Sequence, residues 1–87
     1  MRAKYVIFEG ALGTRTFIFG NETQHVEMAR LMAAVYPGIK PVSAGFVSIS
    51  EGEWPDDEVK AWGKSDSLSL VSRPEDEGII RSAIRYV

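Results

Sequence analysis

The side chains that could do chemistry in this sequence are one histidine, a group of serines and a cluster of acids. His25 is the only histidine, and the absence of cysteine excludes a thiolate nucleophile and a zinc site built on sulfur. A serine attacks a substrate only when a base removes its proton. Any serine-based catalysis in this chain therefore depends on what His25 can reach.

Gly63, Lys64 and Ser65 form the tripeptide that closes a phosphate-binding P-loop. The full motif requires a glycine five residues before Gly63, and Glu58 occupies that position. A carboxylate there repels phosphate, and the residues that follow alternate as in a strand, whereas a P-loop leads directly into a helix. The tripeptide is therefore interpreted as a β-turn.

Four serines lie in and after this tripeptide, at Ser65, Ser67, Ser69 and Ser72. From 67 to 70 serine alternates with leucine, which is typical of a strand with one solvated face and one buried face. Ser72 is followed three residues later by Glu75, a capping box that predicts the start of a helix. The serines are therefore interpreted as structural residues.

His25 stands at the N-terminal end of an apolar helical stripe, and two roles are open for it. It could act as a base or a metal ligand, or it could be a half-buried histidine bonded to a backbone group at the edge of the domain. The first role needs carboxylates, and the acidic segment from 51 to 58 provides Asp56, Asp57 and Glu58. A small hydrolase or metal-dependent enzyme centred on His25 is therefore the alternative functional prediction. It requires these groups to converge in one cleft.

The acidic segment by itself does not have the pattern of a cation site. It lacks the alternating ligand spacing and the central glycine of an EF-hand loop. Acidic side chains in the connection between two strands are commonly just solvated. No metal ion and no other cofactor is therefore expected.

Two tryptophans, Trp54 and Trp62, are further candidates for contact with a partner. Trp54 lies within the acidic segment, directly before Pro55. An indole ring on a loop is costly to leave in water, so it either folds back onto the core or contacts a partner. Together with His25, the two tryptophans form the predicted set of binding residues.

Hydrophobic periodicity predicts short strands and two helices in one continuous domain. The strands are predicted at 4–9, 16–19, 41–50, 58–62 and 67–71, and the helices at 22–36 and from 73 onward. The order ββαβββα predicts a single α+β domain over residues 1–87. We expect a mainly antiparallel sheet of about five strands with both helices on one face.

The first helix is predicted from a capping box and an apolar stripe. Asn21 and Gln24 have the capping-box spacing, so the helix is expected to begin near Glu22. The stripe recurs every three to four residues and is predicted to pack against the sheet. Its members are His25, Met28, Ala29, Met32, Val35 and Tyr36.

Composition and charge indicate a folded domain in a reducing compartment. Hydrophobic residues make up 45% of the chain and charged residues 25%, the balance of a globular protein. No apolar run is long enough for a signal peptide or a membrane span, so a cytoplasmic location without membrane contact is expected. The net charge of −2 disfavours nucleic-acid binding, although a local basic patch keeps it as a third possibility. Such a patch would combine Arg2, Lys4, Arg15, Lys60 and Lys64.

Three segments carry a resemblance to a family of small uncharacterised proteins encoded by phages and prophages. They are HVEMA (25–29), PVSAGFVS (41–48) and SLSLVSRPED (67–76). The resemblance spans most of the chain. It implies a bacterial or phage intracellular setting and a function accessory to the phage, and it assigns no catalytic residue.

The leading functional prediction is a non-catalytic binding protein. No catalytic constellation satisfies the spacing that its chemistry requires, whereas a short open sheet has two exposed edges that can pair with another chain. The predicted partner is another protein or a second copy of this one, in which case a homodimer forms through unpaired edge strands.

Overall fold

The computed structural model describes residues 2–50 and 58–85. The elements are β1 (Arg2–Gly10), β2 (Gly13–Phe19), α1 (His25–Val35), β3 (Lys40–Ser50), β4 (Glu58–Trp62), β5 (Lys64–Ser65), β6 (Leu70–Val71) and α2 (Asp76–Arg85). The α+β class is confirmed. The order also agrees with the predicted one, apart from the additional two-residue strand β5.

The main sheet has four antiparallel strands in the order β2-β1-β3-β4, and β5 and β6 form a separate two-stranded sheet. The predicted antiparallel sheet of about five strands is thus present as four strands and this small second sheet. The chain turns at 66–69, where Ser69 has a φ of 54° and the Ser65 hydroxyl accepts the N–H of Leu68 at 3.2 Å. This turn leaves β4 as an edge of the main sheet.

The two helices pack on opposite faces of the sheet, so the predicted placement on one face is wrong. Tyr5 and Ile7 of β1 pack with Ile80 of α2, whereas Val6 and Phe8 pack with Ala29 of α1. All four strand residues are buried. An unbroken apolar run is the pattern of a strand that is covered on both faces, and β1 needs one helix on each side for this reason.

The hairpin between β1 and β2 has a turn of two residues. Ala11 and Leu12 connect Gly10 to its partner Gly13, whose φ of 105° favours glycine. The turn places Leu12 at the tip, where 91% of its surface is exposed.

The helix α1 begins at His25, three residues later than the capping-box spacing predicts. Gln24 is the N-cap residue, and its side chain makes no capping hydrogen bond. The preceding residues instead form a turn, in which the N–H of Thr23 donates to the carbonyl of Gly20 at 3.2 Å. The predicted stripe is buried only in part, since Val35 and Tyr36 at its end are exposed.

Candidate functional site

His25 is buried between the sheet and the first turn of α1. Its Nε2 lies 2.9 Å from the carbonyl oxygen of Gly45, and the imidazole ring stands edge-on to Phe19 and Phe46, with centroids 5.5 and 6.0 Å apart. A carbonyl only accepts, so Nε2 carries the proton. Burial lowers the pKa of His25, the nearby charge of Lys4 lowers it further, and the bond to Gly45 opposes them. His25 is thus a neutral residue that ties α1 to β3, and the interpretation of a histidine bonded to a backbone group is confirmed.

The carboxylates that the enzymatic alternative requires do not meet His25 within the described residues. Glu58 is exposed and pairs with Ser50, four residues along β3 from Phe46, which is about 14 Å along the strand. Asp56 and Asp57 lie outside the described residues. Across 2–50 and 58–85, no three His, Cys, Asp or Glu side chains are grouped so that they could hold a metal ion.

Trp62 lies at the end of β4, on the face of the sheet that α1 covers. Its ring stacks on Phe46 with centroids 6.2 Å apart, and the guanidinium of Arg2 lies 5.4 Å above the ring centroid. The side chain is 38% exposed, so Trp62 covers Phe46 and leaves part of its surface to solvent. The other predicted anchor, Trp54, lies outside the described residues.

The basic residues of the third functional possibility do not form one continuous patch. Arg2 and Arg15 share a face but lie at opposite ends of the sheet, and Arg15 stands over the ring of Tyr36 at 4.7 Å. Lys60 and Lys64 lie 3.6 and 3.4 Å from neighbouring acids. These cations are therefore divided among local contacts.

A buried carboxylate on the other face of the sheet holds α2 in place. Asp76 accepts four hydrogen bonds. The Tyr5 hydroxyl donates to Oδ2 at 2.6 Å, and the Ser43 hydroxyl donates to Oδ1 at 3.0 Å. The backbone N–H and the Nε of Arg73 each donate at 3.0 Å. This is the acidic half of a capping box, one residue later than the predicted Ser72 and Glu75 pair. Ser72 instead places its hydroxyl 2.7 Å from that of Tyr5.

The pKa values of this cluster move in the directions that its contacts require. Burial alone would raise the pKa of Asp76, but the bonds from Tyr5, Arg73 and Ser43 lower it below its ordinary value. Burial, followed by the bond to Asp76, raises the pKa of Tyr5 well above its usual range. Both side chains are fully buried. The cluster is therefore structural and leaves no access for a substrate. We call Asp76 and its donors Tyr5, Ser43 and Arg73 the lock.

The edge of the sheet at β4 is closed by a side chain of α2. The N–H of Ala61 points away from β3 and donates to Oε1 of Glu77 at 3.0 Å. Asp76 precedes Glu77 in the chain, so the buried lock also places this carboxylate. A partner strand that approached β4 would have to displace it.

The opposite edge, at β2, is open. In an antiparallel sheet, the N–H and C=O groups of successive residues point alternately to the two sides of the strand. The direction at one residue therefore fixes the direction at its partner on the next strand. The N–H of Ala61 points away from β3, so Ala61 and its partner Val47 do not exchange backbone hydrogen bonds. The N–H and C=O of Val47 therefore face β1, where Val47 pairs with Ala3. On β2, the residues that turn their N–H and C=O away from β1 are therefore Thr14, Thr16 and Ile18. In the described part of the chain, no hydrogen bond satisfies these outward groups.

Apolar side chains border this open edge on the α1 side. Leu12 and Val35 are 91% and 55% exposed. Val35 lines a cavity of about 200 Å³ together with Leu12 and Tyr36. We call Leu12, Val35 and Tyr36 the hairpin flank.

A shallow groove borders the same edge on the α2 side. It has a volume of about 530 Å³ and runs between β2 and α2. The strand contributes Thr14 and Thr16, and the helix contributes small residues that leave room beside it, chiefly Gly78, Ser82 and Ala83. Both sides of the β2 edge are thus accessible.

The hairpin flank was missed by the predicted binding set of His25, Trp54 and Trp62. One signal in the sequence points to it: Leu12 is an apolar residue inside a two-residue turn, where polar residues are usual. The exposure of Val35 and Tyr36 had no such signal, because both continue the helical stripe that begins at His25.

Comparison of the chain with protein-family models, with curated proteins and with solved structures found no match. Among the described residues, no helix has both the length and the apolar character needed to cross a membrane.

Proposed function

We propose that this chain is a non-catalytic binding protein that recognises another protein chain by pairing with the free edge of β2. The observation that carries the proposal is the set of outward N–H and C=O groups at Thr14, Thr16 and Ile18. An extended segment that adds to a sheet edge gains main-chain hydrogen bonds, and side-chain pockets beside the edge give selectivity.

The hairpin flank supplies such a pocket. The cavity of about 200 Å³ at Leu12, Val35 and Tyr36 has room for one apolar side chain of the partner strand. Exposed apolar surface of this kind, next to a cation such as Arg15, is characteristic of a protein contact. The buried environment of His25 and its bond to Gly45 favour this function over the enzymatic alternative. A phage-accessory role, which the resemblance implies, is part of the proposal.

Thr16→Pro tests the role of the edge. Its N–H faces away from β1, so proline removes one outward donor and no bond of the sheet, and proline is tolerated at such edge positions. Thr16→Val is the matched control, since it keeps both the N–H and the β-branched shape.

The probe is a displayed library of random peptides selected on the immobilised wild-type chain, followed by fluorescence polarisation with the selected peptides. We expect extended peptides that bind wild type and Thr16→Val alike and lose at least about tenfold in affinity for Thr16→Pro. If no peptide and no second copy of the chain binds in a manner weakened by Thr16→Pro, the proposal is wrong.

A further inference from the structure

The pattern of β2 identifies one partner for its edge, and this step rests on the proposed function. We propose that the edge binds β2 of a second copy of this chain, antiparallel about a two-fold axis at Thr16, so that two sheets join into one of eight strands. The two-fold axis is normal to the sheet and keeps the α1 faces of both copies on the same side.

This register uses all the outward backbone groups. With Thr16 opposite Thr16, Thr14 lies opposite Ile18 of the other copy, and each of these pairs exchanges both of its bonds, about six in total. A shift of two residues in either direction leaves some of these groups beyond the end of the other strand, since β2 spans only Gly13–Phe19. The symmetric register is therefore the most complete one.

The side chains of β2 are compatible with their own copy in this register. Arg15 is the only charged residue of the strand, and it lies opposite Phe17 of the other copy. This is a non-hydrogen-bonded pair, in which side chains approach most closely, and a guanidinium over an aromatic ring is favourable. A register shifted so that Arg15 faces Arg15 places like charges opposite each other, which is unfavourable.

The surfaces beside the strand supply the area that the strand alone lacks. A stable interface buries about 800 Å² on each partner, roughly one-seventh of the 5639 Å² that this chain exposes. On one side, the exposed side chains of Leu12 and Val35 lie beside the hairpin and supply apolar surface. On the other side, the groove at Gly78 and Ser82 leaves space for the joined strands. Such an interface combines paired backbone groups with apolar contacts on the α1 face.

A single cysteine tests the register directly, because the chain has none of its own. In Thr16→Cys the two introduced residues face each other with Cα atoms about 5.5 Å apart, within the range that a disulfide bridges. In Thr14→Cys, the matched control, the two cysteines lie about 14 Å apart along the strands and cannot be bridged. Under mild oxidation of the folded protein, we expect a covalent dimer from Thr16→Cys and none from Thr14→Cys.

Sedimentation equilibrium gives the second measurement. We expect wild type and Thr16→Val to dimerise and Thr16→Pro to stay monomeric at the same concentrations, with the circular dichroism of a folded protein. Equal cross-linking of the two cysteine variants, or a wild type that stays monomeric up to about 1 mM, overturns the inference. A monomeric wild type that still binds selected peptides through Thr16 leaves the proposed function intact, which separates the two failures.

Discussion

The two edges of the sheet differ in whether their outward backbone groups have hydrogen-bond partners. At β4, the outward N–H of Ala61 is bonded to Glu77, and Trp62 ends the strand under the guanidinium of Arg2. At β2, a longer strand presents its outward groups to solvent, between an apolar flank and a groove. Sheet edges are a hazard that proteins commonly block. A chain that blocks one edge and leaves the longer one open is expected to use the open edge for binding.

The largest effect is expected from removing the lock that holds α2 beside β4. Asp76→Ala leaves the buried donors of Tyr5, Ser43 and Arg73 without their acceptor, and we expect a loss of about 3–5 kcal/mol in the free energy of unfolding. Urea denaturation measures it. Asp76→Asn keeps the shape and one acceptor, so its cost is expected to be smaller. An Asp76→Ala variant as stable as wild type contradicts the assigned lock.

The same lock predicts how stability depends on pH. The folded pKa of Asp76 is lowered, so its contribution is present above the unfolded pKa of about 3.9 and is lost as the pH falls through the folded value. The folded pKa of Tyr5 is raised, so stability is also lost as the pH rises above about 10. Tyr5→Phe is expected to remove the alkaline loss and, because the bond from Tyr5 helps to lower the pKa of Asp76, to reduce the acidic loss as well. An unchanged alkaline loss in this variant assigns it to another group.

The next effect concerns the point where β4 leaves the sheet. A Cβ at Gly45 would clash with the carbonyl oxygen of Trp62, which belongs to the rigid backbone. Gly45→Ala is therefore expected to cost about 1–3 kcal/mol, the usual range for overpacking. Gly78→Ala is the control, because nothing lies near its Cβ and alanine favours a helix interior. Thermal unfolding that shifts equally in both variants would show that Gly45 has no special role.

Opening the closed edge is expected to have a smaller effect. Glu77→Ala removes the acceptor of the Ala61 N–H. Because both residues are only partly buried, we expect a loss of about 1 kcal/mol in the free energy of unfolding. The clearer readout is amide hydrogen exchange, in which Ala61 should lose protection selectively. Glu77→Gln keeps an acceptor oxygen and is expected to retain most of the protection. Equal exchange in wild type and Glu77→Ala would mean that β4 is not closed in this way.

The smallest effect is expected at the end of β4. Arg2→Ala removes the cation above Trp62 and is expected to cost about 0.5–1 kcal/mol. Arg2→Lys keeps a cation and should recover part of it. Denaturation followed by circular dichroism measures both, and a larger loss for Arg2→Lys than for Arg2→Ala would exclude a cation–π contribution.

The sequence predicted the elements better than their arrangement. The run from Tyr5 to Phe8 and the stripe at His25 each depend on local periodicity, and both formed the expected strand and helix. Which face each helix covers depends on the strand order, and that order is set by contacts far apart in the chain. An unbroken apolar run does indicate a strand covered on both faces, so this part was open to prediction from Tyr5 to Phe8.

The candidate site was less predictable for the same reason. The direction of an outward N–H on β2 follows from the register of four strands, and no local pattern in Thr14 to Ile18 encodes it. Val35 and Tyr36 follow the buried period of α1, yet both are exposed where they line the cavity beside the β1–β2 hairpin. Trp62 was identified from its residue type alone, and its contact with Arg2 and Phe46 depends on pairing between distant strands.

The bond between Tyr5 and Asp76 joins residues that are 71 apart in the sequence. During synthesis β1 emerges before the other elements described here, yet one face of it stays uncovered until α2 has emerged. A contact of such long sequence separation also requires the closure of a large loop before it contributes any stability. β1 is therefore expected to be among the last strands to be covered on both faces. Among the elements described here, it is the one that stays exposed longest during synthesis.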